Sequence, residues 1–215
     1  MNNKSTVFFL ILMLSVSIQN AVAQSNLKFG AHAGINIANF SGVEIDYESR
    51  TGFLAGISVE IPLEGQIFDI ETGAYYSQKG ATGFYRAPIG IGIPGGNAGN
   101  AGTLKLDYVD IPVLAKFEIE RSGSFHPQII AGPYLAVNIS SKANEADDLY
   151  IDKIDEFIRA ADVGLILGGG GVIRRESLNI RLRASYTIGI TSVFESQIES
   201  DEKNRVFSIT AGILF

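Results

Sequence analysis

The chain contains no cysteine at all among its 215 residues. That excludes disulfides, thiolate metal sites and a cysteine nucleophile, and it removes the residue on which a bacterial lipoprotein builds its anchor. Only two histidines are present, His32 and His126. Two ligands without a third make a poor metal site, so hydrogen bonding is the expected role of both. Basic residues are also short. Without the first 23 residues, which carry Lys4 and no acid, 17 − 1 = 16 basic residues face 23 acidic ones, a net charge of −7. Nucleic acid is therefore not an expected partner. Past Ala23 no run approaches the ~20 apolar residues of a spanning helix, and helical periodicity is almost absent. Disorder is excluded by the remaining composition, 46% hydrophobic and 19% charged.

The first residues have a different character. Lys4 precedes an apolar run from Val7 to Ile18, and Ala21-Val22-Ala23 follows. This is the order of charge, apolar run and small-residue site of a secretory signal peptide, too short to span a bilayer. Cleavage is expected after Ala23, which leaves residues 24–215 as one exported domain.

What fills that domain is alternation of period 2. It recurs in eight segments, about 27–38, 50–63, 66–79, 104–120, 125–138, 160–173, 178–192 and 204–215. The connections LEGQ from Leu63, RSGS from Arg121 and RRES from Arg174 are tight turns, whereas those near 39–49, 80–103, 139–159 and 193–203 are long. Short and long connections alternate strictly, as in an up-and-down outer-membrane barrel with short periplasmic turns. The predicted fold is all-β, an eight-stranded antiparallel up-and-down transmembrane β-barrel with both termini on the periplasmic side.

The stretch SLNIRLRASYTIGI, Ser177 to Ile190, shows how the faces divide. Leu178, Ile180, Leu182, Ala184, Tyr186, Ile188 and Ile190 share one side, while Arg181 and Arg183 share the other with Asn179, Ser185 and Thr187. Strands 1, 3 and 8 repeat the division, with Phe29 to Ile37, Phe68 to Tyr76 and Phe207 to Phe215 opposing Lys28, His32, Asp69, Glu71 and small residues. An eight-stranded barrel encloses only a side-chain-sized interior. The face rich in glycine, serine and charge is therefore the lumen and the apolar face looks outward, the reverse of a lipocalin-like barrel. An apolar belt of that kind has lipid as its solvent. In strand 4 the phase is clean from Asp110 to Glu120, but LKLDY before it slips by one residue, which predicts a bulge near Tyr108.

KFGAHAGINIAN, FLAGISVEIPL, ETGAYYSQKG, LDYVDIPVLAKF, AGPYLAVN, ADVGLILGGG and IRLRASYTIGIT, with the C-terminal Phe215, resemble the PorT-like outer-membrane β-barrel domain family of Bacteroidetes (porin family proteins). The resemblance covers essentially the whole mature chain, and its most specific pieces are Y-S-Q-K-G and L-x-Y-x-x-I-P. It implies an eight-stranded barrel in the outer membrane and a terminal aromatic of the type read by the barrel assembly machinery. It carries no activity with it, and the secretion and gliding role of PorT itself is not transferred.

Other motifs yield to simpler readings. Gly90 to Gly95 satisfies G-x-G-x-x-G but lies in the longest connection, without the strand before and helix after that a nucleotide site needs. Gly168 to Gly171 gives room in a narrow barrel. The acidic run NEADDLYIDKIDE, Asn144 to Glu156, lacks the spacing and glycine of a calcium loop and reads as a solvated charge run, with helical spacing over Leu149 to Ile158. No cofactor, metal or catalytic residue is expected. Outer-membrane lipid, the assembly machinery during insertion and an unidentified protein are the expected partners. The leading reading is a structural, accessory or partner-binding barrel with a filled lumen, with a small pore and a lipid-modifying enzyme as alternatives. An enzyme of that kind needs a nucleophile and base on the outer wall, commonly Ser and His, and both histidines fall on inward phases.

The inward charges define the candidate site. Placing Leu63 opposite Gln66 sets Glu60 beside Asp69, with Glu71 one step up. Placing Ile173 opposite Leu178 sets Arg181 across from Gly170 and Arg183 across from Gly168. Neighbouring carboxylates in a poorly hydrated interior need cations, and Lys28, Lys116, Arg181 and Arg183 are available. The expectation is a charge-paired plug of Lys28, Glu60, Asp69, Glu71, Lys116, Arg181 and Arg183. A closed barrel leaves no strand edge unpaired, so the protein should be recovered with the outer-membrane fraction and migrate faster on gels unheated than boiled. Recovery as a soluble periplasmic protein without detergent would rule the barrel out.

Overall fold

The computed structural model describes residues 27–42, 47–84, 102–119, 123–144, 157–175, 178–195 and 201–215. The expected signal peptide, the glycine-rich G-x-G-x-x-G stretch and most of the acidic run lie outside them. Eight strands follow one another: β1 Lys28–Ser41, β2 Glu48–Ile61, β3 Asp69–Phe84, β4 Gly102–Glu118, β5 Phe125–Asn144, β6 Ala161–Arg174, β7 Asn179–Gly189 and β8 Lys203–Leu214. Each pairs antiparallel with its sequence neighbours, and β8 returns to β1 to close the barrel. The closing seam ends in two backbone bonds, Phe29 N to Phe215 O at 2.8 Å and Phe215 N to Phe29 O at 2.9 Å.

The outer wall is apolar, with large exposed side chains on every strand except β3, which turns Ile70, Ala74 and Tyr76 outward. Phe29, Ile35, Ile57, Val113, Ile129, Leu167, Leu182, Phe207 and Ile213 are all exposed. From Phe29 to Ile37 the belt on β1 runs about 27 Å along the strand, or about 20 Å along the barrel axis at a tilt of ~40°. Aromatic pairs brace it near the turn end, Phe29 on Phe215 and Phe68 on Phe117. Phe53 packs on Tyr76 nearer the loop end. Among the described residues no helix is long and apolar enough to cross a membrane. The strands do the crossing.

Several details differ from the sequence-based expectation. At the loop end β3, β4 and β5 continue to Phe84, Gly102 and Asn144, well into the stretches expected as connections. The RRES connection is tighter than expected, because the ladder runs on until Arg175 and Leu178 exchange backbone bonds. Arg181 thus faces Val172 and Arg183 faces Gly170, rather than Gly170 and Gly168. The LEGQ turn does form, with Gln66 N bonded to Leu63 O at 3.1 Å, but the ladder closes at Ile61 and Ile70. Pro62 has no N–H to extend it, and Ile67 loops out at 84% exposure. Glu60 therefore pairs with Glu71, not Asp69. Both corrections shift register by two residues, so every side chain keeps its face.

The bulge lies across from Tyr108 rather than in its strand. Asp107 pairs with Ser140 and Tyr108 with Asn138, which leaves Ile139 on β5 without a partner. β4 keeps its phase throughout: Leu104, Leu106 and Tyr108 point inward like Asp110. They are apolar, and that made an unbroken alternation look like a slip. They form part of an apolar cluster inside the loop end, with Phe40, Tyr47, Ala81, Tyr134, Ala136, Ile158, Val193 and Phe194. Ile158 meets Phe194 in a single bridge there, and residues 149–156 of the expected helical stretch lie outside the described residues.

Gly80 sits where this wall passes the Lys79 side chain, with φ of 119° and its ideal Cβ position 2.0 Å from the Leu104 carbonyl oxygen. Gly80→Ala should lower stability by ~1–3 kcal/mol through backbone strain, read as a lower urea midpoint in lipid vesicles. An unchanged midpoint would mean that the wall adapts freely.

Candidate functional site

The lumen is the site, and it is built in tiers. At the turn end of the barrel, β2, β3, β4 and β7 aim long charged side chains at one another across the axis. Glu60 and Glu71 are cross-strand neighbours, and between them they would leave two buried negative charges. Three cations answer. Lys116 Nζ lies 2.5 Å from Glu60 Oε2 and 3.1 Å from Asp69 Oδ2. Arg181 spans the barrel, bonding Glu60 Oε1 through Nη2 and Glu71 Oε2 through Nη1 at 3.0 Å. Arg183 grips Glu71 with both ends of its fork, at 2.7 and 2.8 Å. Lys116, Arg181 and Arg183 thus balance Glu60, Asp69 and Glu71. Arginine suits this position because its planar fork serves two carboxylates at once.

Space for these groups comes from their neighbours. Arg183 lies across from Gly170 on β6, and Arg181 from Gly212 on β8. A Cβ at Gly212 would stand 2.2 Å from His32 Nδ1, so this glycine also makes room for that ring. His32 Nε2 bonds Ser58 Oγ at 2.8 Å, and the ring packs beside Tyr75. Around the turn-end mouth Glu118 accepts from Arg174 and from Gln128 Nε2 at 2.7 Å. His126 Nδ1 lies 3.8 Å from the same carboxylate.

Six of the seven residues singled out from the sequence therefore meet in one tier. Lys28 is the exception: it sits opposite Glu60 in the β1–β2 ladder but makes no ion pair among the described residues. Asp69 reaches the tier through Lys116 on the adjoining strand rather than as the cross-strand neighbour of Glu60.

A second tier lies nearer the loop end. Lys79 Nζ stands 2.9 Å from Asp110 Oδ1 and 4.0 Å from Asp162 Oδ2, and 4.8 Å from the ring centres of both Tyr108 and Tyr134. Asp162 accepts from Tyr134 Oη at 2.8 Å, Asn204 Nδ2 at 3.0 Å and Thr191 Oγ1 at 2.7 Å. The inward phase of strands 3, 4, 6 and 8, within the predicted segments, contains Lys79, Asp110, Asp162 and Asn204, so the signal for this tier is present in the alternation. Above it the apolar cluster fills the loop end. At its edge Tyr47 Oη donates to Glu202 Oε1 at 3.0 Å. Burial, together with that carboxylate, pushes the Tyr47 hydroxyl well above the ordinary range, so it remains a donor.

A closed barrel with an apolar outer wall and an ion-paired interior is a membrane-spanning β-barrel protein. Residues 22–195 match the family described as outer membrane protein beta-barrel domain, and the chain belongs to that family. Among solved structures it is similar to Neisserial surface protein A, at 17% identity, 88% of this chain, 96% of that one and a TM-score of 0.51. It is also similar to the outer membrane protein OprG from Pseudomonas aeruginosa, at 9% identity, 89% of this chain, 97% of that one and a TM-score of 0.51. At such identities the likeness is one of fold. No curated protein matches the chain.

Glu71 takes bonds from two arginines and is fully buried. Glu71→Gln leaves Arg183 without a charged partner and should cost ~3–5 kcal/mol in urea unfolding. A loss below ~1 kcal/mol would show that water or another carboxylate replaces it.

Proposed function

We propose that this protein is a closed-lumen barrel of the PorT-like kind. On this reading it is exported through a cleaved signal peptide, inserted into the outer membrane by the barrel assembly machinery, and serves as a structural or partner-binding element. The observation that carries the reading is the succession of obstacles along the lumen: the Lys116–Glu60–Arg181–Glu71–Arg183 tier, the Lys79–Asp110 pair, and the apolar cluster at the loop end. Transport through such an interior would require breaking buried ion pairs. With the lumen closed, the long loops and the outer wall are the surfaces left for a partner. The same geometry weighs against lipid-modifying chemistry, since His32 is held inside by Ser58 and His126 lies beside Glu118.

The unaltered protein in planar lipid bilayers should show no steady unitary conductance at moderate voltage. Stable openings from purified, folded barrel would move the protein to the pore reading. Crosslinking in intact cells from the outward loops should capture a discrete protein partner.

A further inference from the structure

Between the two charged tiers lies a cavity of about 60 Å³, lined among others by Ser77, Ser185, Thr187, Ser208 and Thr210. Leu114, Ile130, Ile166 and Val206 line it as well, so apolar atoms make up most of its wall, and the hydroxyls supply the partners for a few water molecules. Arg183, clamped by Glu71, forms its floor toward the turn end, and Lys79, clamped by Asp110, forms its roof. The tiers on either side differ in charge. The floor tier is balanced, whereas the roof holds one cation, Lys79, against two carboxylates, Asp110 and Asp162. The second carboxylate depends on neutral donors.

Of the three donors to Asp162, Tyr134 belongs to β5 and Asn204 to β8, both part of the wall. Thr191 does not. It belongs to the segment 190–195, which follows β7 at the loop end and runs between residues 157–159 on one side and Glu202 on the other. The same hydroxyl accepts from Val163 N at 3.0 Å. Further along, Val193 N bonds Glu202 O, Arg159 N bonds Val193 O, and Glu195 N bonds Phe157 O. Val193 and Phe194 are 2% and 3% exposed, packed in the apolar cluster with Tyr108 and Tyr134, the two rings that flank Lys79. Asp162 is thus the side chain through which this segment meets the roof of the cavity, beside the bonds of residues 190 and 191 to Val163.

We propose that the cavity is a water-filled chamber closed toward the loop end by residues 190–195 acting as a cap, and that Asp162 is the latch that holds the cap down. The inference rests on the closed-lumen reading, because the Arg183–Glu71 floor must stay shut. As a carboxylate, Asp162 accepts from wall and cap together and also draws Lys79 toward the roof. An amide there removes the charge that draws in Lys79 and leaves one acceptor oxygen for three donors, so the latch weakens. With the latch released, water and small polar solutes reach the chamber from the loop end and stop at the floor.

The lack of native cysteine makes a direct test possible. Ser185→Cys places a single thiol in the chamber wall, and its reaction with methyl methanethiosulfonate can be timed on the folded protein in detergent. The thiol should react slowly in that variant, and at least tenfold faster once Asp162→Asn is added. Thr191→Val, which keeps the carboxylate and removes the cap's bond to it together with the acceptor for Val163 N, should accelerate labelling as well, and serves if Asp162→Asn fails to fold. Rapid labelling with the latch intact would overturn the proposal. So would slow labelling in both latch variants that still show heat-modifiable migration. Conductance by the unaltered protein in bilayers would instead remove the closed-lumen reading, whatever the labelling rates.

Discussion

Lipid offers no hydrogen bonds, so a chain that crosses it with strands must bond every backbone amide and carbonyl to another strand. Here the β1–β8 ladder, from Gly30–Leu214 to Ser41–Lys203, turns a sheet with two open edges into a closed cylinder. The rest of the structure follows from that closure. It sorts side chains into an outer set that must suit hydrocarbon and an inner set that must share a narrow space. It also makes the inner set mutually dependent, because no bulk water remains there to solvate a charge alone.

The interior meets this demand in two ways. Toward the turn end it pairs charge with charge, three cations against three carboxylates, with glycine where an arginine crosses. Toward the loop end it abandons charge for leucine, tyrosine and phenylalanine. The Lys79 tier is the transition, an ion pair seated between tyrosine rings. Buried ion pairs are weak sources of net stability but severe penalties when broken. The lower tier therefore defines one arrangement of the strands more than it strengthens the barrel, since a strand one residue out of register would carry Arg181 or Glu71 into lipid.

Much of this was legible in the chain itself. The alternation of β7 around Arg181 and Arg183 identified the lumen face, the short and long connections indicated the up-and-down order, and the inward phases collected six members of the lower tier. Lys28 was included because its phase is inward, but phase says nothing about height or reach. The apolar stretch Leu104 to Tyr108 breaks the expectation that inward residues are polar. That rule fails where the lumen is capped by a core of its own.

Period-2 alternation is a local property, so the strands, their faces and the class of barrel could be read from neighbouring residues alone. Register could not. It depends on how a turn closes: Pro62 lacks a donor and Ile67 loops out, while Arg175 and Leu178 complete one more rung. Those events decide that Glu60 meets Glu71 and that Arg183 meets Gly170. The Lys79–Asp110–Asp162 tier and the cap above it lie further still from local reading. They join β3, β4 and β6 to residues 190–195, groups spread over more than a hundred positions of sequence, which only the closed cylinder brings together.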